Sequence, residues 1–270
     1  MPKSLNTAHH QEVVPEMEQS FVQRKWRIIA GAIVYLFTAI QFVVGEWIAA
    51  SAWVHPPYSY TKNYISDLGV TVCGDKPAKS LNSHFTQAGQ ILCSPKHGVM
   101  NTSFILLGVG FFIGTVLLMP TLSRRRGRAQ AVMAAIFAIC LTTVGLVHAQ
   151  SQTGSAIIFH VLGAFVGILL GNVALIRMGL FSRHLGAPRW YGVLAVALGI
   201  FGIFSGLLVA VPTPLLTPPV WERGSAYSFV LGLIVTGGLV IYAQVTGRLN
   251  WGAESDQVLQ PAPLQSQSVA

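Results

Sequence analysis

Six apolar stretches, each roughly twenty residues or longer, limit what this chain can fold into. They occupy 28–53, 99–119, 129–148, 156–177, 191–211 and 225–245. At a rise of 1.5 Å per residue, a helix needs about 20 residues to cross about 30 Å of hydrocarbon. Hydrophobic residues make up 52% of the chain and charged ones 10%, whereas soluble domains carry about 25% charge. A water-soluble chain of 270 residues could not hide that much apolar surface, so the solvent is a bilayer. In hydrocarbon every backbone polar group must be bonded internally. That leaves helices, because the ten-residue alternation of a membrane barrel is absent. The expected fold is an all-α integral membrane protein, a bundle of six transmembrane helices.

Basic residues orient the bundle. The first, third, fifth and seventh non-membrane segments hold 12 of the 17 Lys and Arg: Lys3, Arg24, Lys25 and Arg27; Arg124, Arg125, Arg126 and Arg128; Arg177, Arg183 and Arg189; and Arg248. The remaining segments hold Lys62, Lys76, Lys79, Lys96 and Arg223. The asymmetry predicts that both termini are cytoplasmic, and the plasma membrane is the expected location. The net charge of +8 follows from this loop bias. No basic face with exposed aromatics points to nucleic acid. The first span is read as an uncleaved anchor, because it is too long for a signal peptide and follows a polar leader.

The chain divides into a cytoplasmic N-terminal segment (1–27), a membrane domain (28–246) and a disordered cytoplasmic tail (247–270). Within the membrane domain, 54–96 is one large outer loop, long enough to suggest function. Residues 212–225 contain Pro212, Pro214, Pro218 and Pro219 and are expected to be stiff, extended and free of helix. Small residues recur every fourth position at Gly110 and Gly114, at Gly163, Gly167 and Gly171, and at Gly202 and Gly206. Such faces let helices approach closely, within one chain or across a homodimer. The expected partners are membrane lipids, with the protein a monomer or such a dimer. Cys73 and Cys93, both in the outer loop, form the expected disulfide, and Cys140 reads as a core residue.

Polar residues gather near the outer ends of the spans. Glu46 lies deep in the first span, His97 and Asn101 share one face of the second, and His148 and His160 flank the third connection. Asp67 lies in the outer loop, and Ser94 is the expected N-cap of the second span, followed by Pro95. Each residue also has a plainer reading: a snorkelling carboxylate at Glu46, interfacial or cap roles at His97 and His148, a helix-to-helix bond at His160. Together, Glu46, Asp67, His97, Asn101, His148 and His160 are the candidate binding residues. Glu46, Asp67 and Ser94 are the catalytic candidates, with Ser66 a further hydroxyl. His97, His148 and His160 offer three imidazoles, a workable zinc shell, although no close His pair specifies a metal.

At "ISDLG" (65–69), "SP" (94–95) and the following Asn101, the chain resembles the multi-pass membrane family known as domain of unknown function 998 (DUF998). That resemblance implies a six-helix fold with an outer polar cluster and carries no reaction. A weaker similarity is to the alkaline ceramidases and progestin/adiponectin receptors, which place Ser, Asp and three His around zinc. This chain has six spans rather than seven and lacks a closing His-x-x-x-His. Three functional classes remain open: an outward-facing site that binds a lipid or small amphiphile, a zinc-dependent lipid hydrolase, and a proton-coupled transporter using Glu46.

Overall fold

The computed structural model describes residues 6–54, 57–71, 74–75, 91–92, 94–147, 156–211, 215–249 and 251. It contains six long helices: α1 (Asn6–Ala52), α2 (His97–Leu118), α3 (Arg124–Leu146), α4 (Ala156–Leu180), α5 (Arg189–Leu208) and α6 (Pro218–Thr246). All six are long and apolar enough to cross a membrane. Each packs on the next in sequence, and α6 returns to pack on α1, closing a ring. The loop between α1 and α2 carries a 3-10 turn, Ser66–Gly69, and a two-residue hairpin ladder in which β1 (Gly74–Asp75) pairs antiparallel with β2 (Ile91–Leu92). The end of the bundle that carries this loop is called the loop end, and the opposite end the tail end.

Two boundaries differ from the sequence expectation. α1 begins at Asn6, so the polar leader continues the helix instead of preceding it. α6 begins at Pro218, within the segment expected to be extended. Pro218 and Pro219 occupy the first turn, where an N–H has no intrahelical partner to lose and a φ near −65° already suits the helix. Glu222 and Arg223 are therefore helix residues, not loop residues. The N-cap expectation also changes. α2 starts at His97 behind Lys96, and the Ser94 hydroxyl bonds elsewhere. The expected disulfide partners, Cys73 and Cys93, lie outside the described residues, as does the tail beyond Trp251. Among the described residues Cys140 is a free thiol.

The core is aromatic at its centre. Phe111 of α2, Phe137 of α3 and Phe229 of α6 pack in a triangle with centroids 4.9–5.2 Å apart. Such edge-and-tilt contacts add to dispersion, which must hold helices together where lipid is as apolar as leucine. Buried hydroxyls pair between helices: Tyr35 with Thr115 at 2.7 Å and Tyr191 with Thr236 at 2.9 Å. Trp26, Trp47 and Trp190 face outward, whereas Trp53, Trp221 and Trp251 are buried. The glycine faces are covered within the chain. Gly110 and Gly114 meet Thr38 and Tyr35 of α1, Gly163, Gly167 and Gly171 meet α3, and Gly202 meets Asn172 of α4.

The α1–α2 crossing shows why glycine is needed. A Cβ on Gly31 would lie 2.9 Å from Leu117 Cβ and 3.0 Å from the Gly114 carbonyl. Gly31→Leu should lower stability by about 1–3 kcal/mol through overpacking, read as a lower melting temperature of the purified protein. Gly238 has nothing within 4 Å of such a Cβ. Gly238→Ala should be neutral or raise stability by up to about 1 kcal/mol in the same measurement.

Candidate functional site

A buried ion pair anchors the loop end. Glu46 of α1 is 2% exposed, whereas its neighbour Trp47 is 63% exposed, so α1 turns the carboxylate inward and the indole outward. Arg223 of α6 donates from Nη2 to Glu46 Oε1 at 3.3 Å, and Tyr227, one turn further on, donates to Oε2 at 2.7 Å. The guanidinium also donates from Nη1 to the carbonyls of Tyr60, Asn63 and Pro219 at 2.8, 2.7 and 3.1 Å, and from Nη2 to the Tyr58 hydroxyl. It sits 5.6 Å and 5.1 Å from the Tyr58 and Tyr60 ring centroids. One arginine thus joins α1, α6 and the loop.

The loop is tied down from two further sides. Glu222 Oε2 accepts the Ile65 N–H at 2.5 Å, and Asp67 Oδ2 accepts the Tyr64 N–H at 2.9 Å. From α2, Asn101 Nδ2 donates to the Gly69 carbonyl at 3.0 Å, and just before α2, Ser94 Oγ donates to the Leu68 carbonyl at 2.6 Å. Gly69 packs directly on the Asn101 amide, so a side chain there would collide with it. The "ISDLG", "SP" and Asn101 motifs therefore meet in space, with the Ser94 hydroxyl and Asn101 amide committed to backbone carbonyls. His97 bonds the Ser94 carbonyl through Nδ1 at 3.0 Å, in the first turn of α2.

Beneath the loop lies a cavity of about 200 Å³. Tyr64, Ser66, Asp67, His160 and Glu222 form its polar part, and residues of α4 and of the end of α5, Ile168 and the following Val209 among them, form its apolar part. A deeper cavity of about 60 Å³ continues the same walls, sharing Ser66, Ala164, Ile168 and Glu222. It reaches Phe137 and Phe229 of the aromatic triangle and Asn172 of α4. Glu222 and Phe229 are seven positions apart on α6, about 10 Å along the axis at 1.5 Å per residue. On the cavity's rim, Leu162 and Phe165 of α4 are 53% and 47% exposed on the outer surface of the bundle.

The structure brings together part of the expected residue set. Asp67 and His160 line one cavity, joined by Ser66 and by Glu222 of α6. Glu46 stands apart in the ion pair, and Ser94, His97 and Asn101 belong to the loop ties. His148 lies outside the described residues. Among the described residues no group of three His, Cys, Asp or Glu side chains gathers as a metal ion requires. His160 is 5% exposed, and its Nδ1 lies 2.6 Å from the Val147 carbonyl. That contact puts the proton on Nδ1 and makes Nε2 an acceptor in the neutral ring. Arg223, Tyr58 and Tyr227 were missed, although the four-residue spacing of Arg223 and Tyr227 marks one helix face once α6 is known to start at Pro218.

Burial pushes the Tyr58 and Tyr64 phenols above their ordinary value of 10.0; at Tyr58 the Arg223 guanidinium opposes the rise. The unfolded chain therefore loses these protons first. Their contribution to stability is whole below about pH 10 and falls as pH climbs from there toward the native values. Tyr58→Phe should flatten the fall in melting temperature measured above about pH 10. Arg223→Met leaves Glu46 buried beside an apolar side chain and should cost about 3–5 kcal/mol. Glu46→Gln keeps an acceptor for Tyr227 and Arg223 and should cost less in the same melting experiment.

No curated protein and no solved structure matches the chain. The family described as "Protein of unknown function (DUF998)" matches residues 28–239, from the apolar part of α1 into α6, and this integral membrane chain belongs to that family.

Proposed function

We propose that this multi-pass membrane protein binds a lipid or small amphiphile in the loop-end cavity. The observation that carries this reading is the gradient along the two adjoining cavities. Ser66, Asp67, His160 and Glu222 line the end under the loop, while Phe42, Phe104, Phe137 and Phe229 line the interior. A concave, mostly apolar site with a few convergent polar groups suits a molecule with one polar end. The exposed apolar rim at Leu162 and Phe165 supports entry sideways from the bilayer between α4 and α5. The loop end faces away from the cytoplasm and both termini lie inside, in the plasma membrane, a reading supported by the excess of basic residues at the tail end. Hydrolysis at a metal and proton-coupled transport draw no comparable support. Glu46, Asp67 and Glu222, the acids whose side chains are described, all sit at the loop end and leave no ionisable path through the bundle.

Two measurements test this. In a cysteine-free background, Arg126→Cys should react with an impermeant maleimide only after cells are opened; labelling of intact cells would reverse the orientation. A twelve-carbon amphiphile carrying a diazirine should label the protein in nanodiscs at α4 and α6, around Ile168 and Phe229. Ala164→Trp, which fills the shared wall, should reduce that labelling about tenfold. Diffuse labelling that is unchanged by Ala164→Trp would overturn the amphiphile site.

A further inference from the structure

We infer that a groove between α5 and α6 at the tail end seats an acyl chain of an anionic phospholipid, with Arg189 and Arg248 drawing its head group. This site lies at the other end of the bundle from the amphiphile cavity and does not rest on it. Pro188 and Trp190 line one side of the groove, Val235, Gly238 and Tyr242 of α6 line the other, and Leu249 joins them from beyond the helix. Its volume is about 560 Å³, and it opens on the outer surface, where Trp190 is 55% and Tyr242 43% exposed.

Two adjacent glycines of α6 have opposite uses. A Cβ on Gly237 would lie 2.8 Å from the Ala32 carbonyl of α1, so this glycine lets two helices touch. Gly238 is exposed and has nothing within 4 Å of such a Cβ, so it leaves a gap in the outer wall. Behind the groove the same seam is shut. The Tyr191 hydroxyl pairs with Thr236 at 2.9 Å, and its ring packs on Trp251 at 5.7 Å. The chain reaches Trp251 after Gly247, whose φ of 64° is the left-handed conformation that favours glycine at a helix end. Past that turn Arg248 is exposed and Leu249 lines the groove. An apolar gap on the lipid side forgoes dispersion contacts unless something fills it, and a flexible acyl chain is the neighbour at hand.

Charge selects the head group. Arg189 stands between two lining residues, Pro188 and Trp190, and Arg248 precedes a third, Leu249. Both arginines are exposed. Among the described residues no Asp or Glu lines the groove. An arginine stem can lie along apolar surface while its guanidinium reaches the head-group layer, where it can bind phosphate through two parallel hydrogen bonds. The Trp190 indole and the Tyr242 phenol add a polar tip to an apolar body at the same level. Basic pockets between spanning helices suit anionic heads, whereas a zwitterionic head brings its own ammonium beside the guanidinium.

The test uses the full chain in nanodiscs of phosphatidylcholine. Trace phosphatidylglycerol or trace phosphatidylcholine, each with a diazirine on one acyl chain, is added, and labelled peptides are identified by mass spectrometry. Phosphatidylglycerol should label residues 234–242 at least about fivefold more than phosphatidylcholine does. Gly238→Leu, which fills the gap, should remove most of that labelling and leave labelling around Ile168 by the twelve-carbon probe unchanged. Arg189→Gln combined with Arg248→Gln should bring the two lipids to equal labelling. Equal labelling of the unmodified protein by both lipids, or labelling unmoved by Gly238→Leu, would overturn the site. Benzoylphenylalanine in place of Tyr242 should crosslink to lipid; a crosslink to residues 252–270 or to a second copy of the chain would instead assign the groove to protein. If Gly238→Leu does not fold, the preference on the unmodified protein and its loss in the arginine pair decide the matter.

Discussion

A carboxylate and a guanidinium buried at the α1–α6 seam organise the loop end. An isolated charge in an apolar interior is costly, and a pair is tolerated when most of its remaining donors and acceptors are satisfied; here Arg223 Nε alone has no hydrogen-bond partner. Glu46 therefore has a second donor in Tyr227, and Arg223 has three backbone carbonyls and the Tyr58 hydroxyl. Those carbonyls belong to the loop and to the first turn of α6. Satisfying one ion pair thus fixes the path of residues 58–64 and closes the helical ring.

Once that path is fixed, the rest of the loop follows. The chain from Tyr64 to Gly69 would bury unpaired backbone groups if it only lay over the bundle. Glu222 and Asp67 take its amides, and Ser94 and Asn101 supply donors to its carbonyls. The cavity is the space left beneath a segment held at its edges. Its polar surface consists in part of the same carboxylates that hold the loop in place, so positioning the loop and lining the site are tasks of the same side chains.

The six helices were legible from hydropathy because crossing a bilayer demands long uninterrupted apolar runs. Their polar ends were less so. Residues 212–225 read as extended because proline inside a helix costs a hydrogen bond, yet a proline in the first turn breaks none, and α6 starts on two of them. That single misreading hid Arg223 and Glu222. The inward direction of Glu46 and the burial of His160 were visible in the pattern of polar residues near one membrane face. The roles of Ser94 and Asn101 were not, because their partners are backbone carbonyls, which every residue carries and no sequence distinguishes. The three-histidine grouping assumed that residues at equal depth also share a direction. His97 instead bonds within its own helix start, and His160 bonds the end of α3.

The ion pair also sets an order of events in the cell. Glu46 is made first, and its partner lies 177 positions later, on α6. Throughout synthesis of the intervening helices the carboxylate must stay neutral, remain wet, or borrow another donor. The first loop cannot take its final shape during that time, since the guanidinium that gathers Tyr60 and Asn63 has yet to leave the ribosome. The loop end is thus completed by α6, which arrives as a keystone, and the chamber exists only after that helix is set.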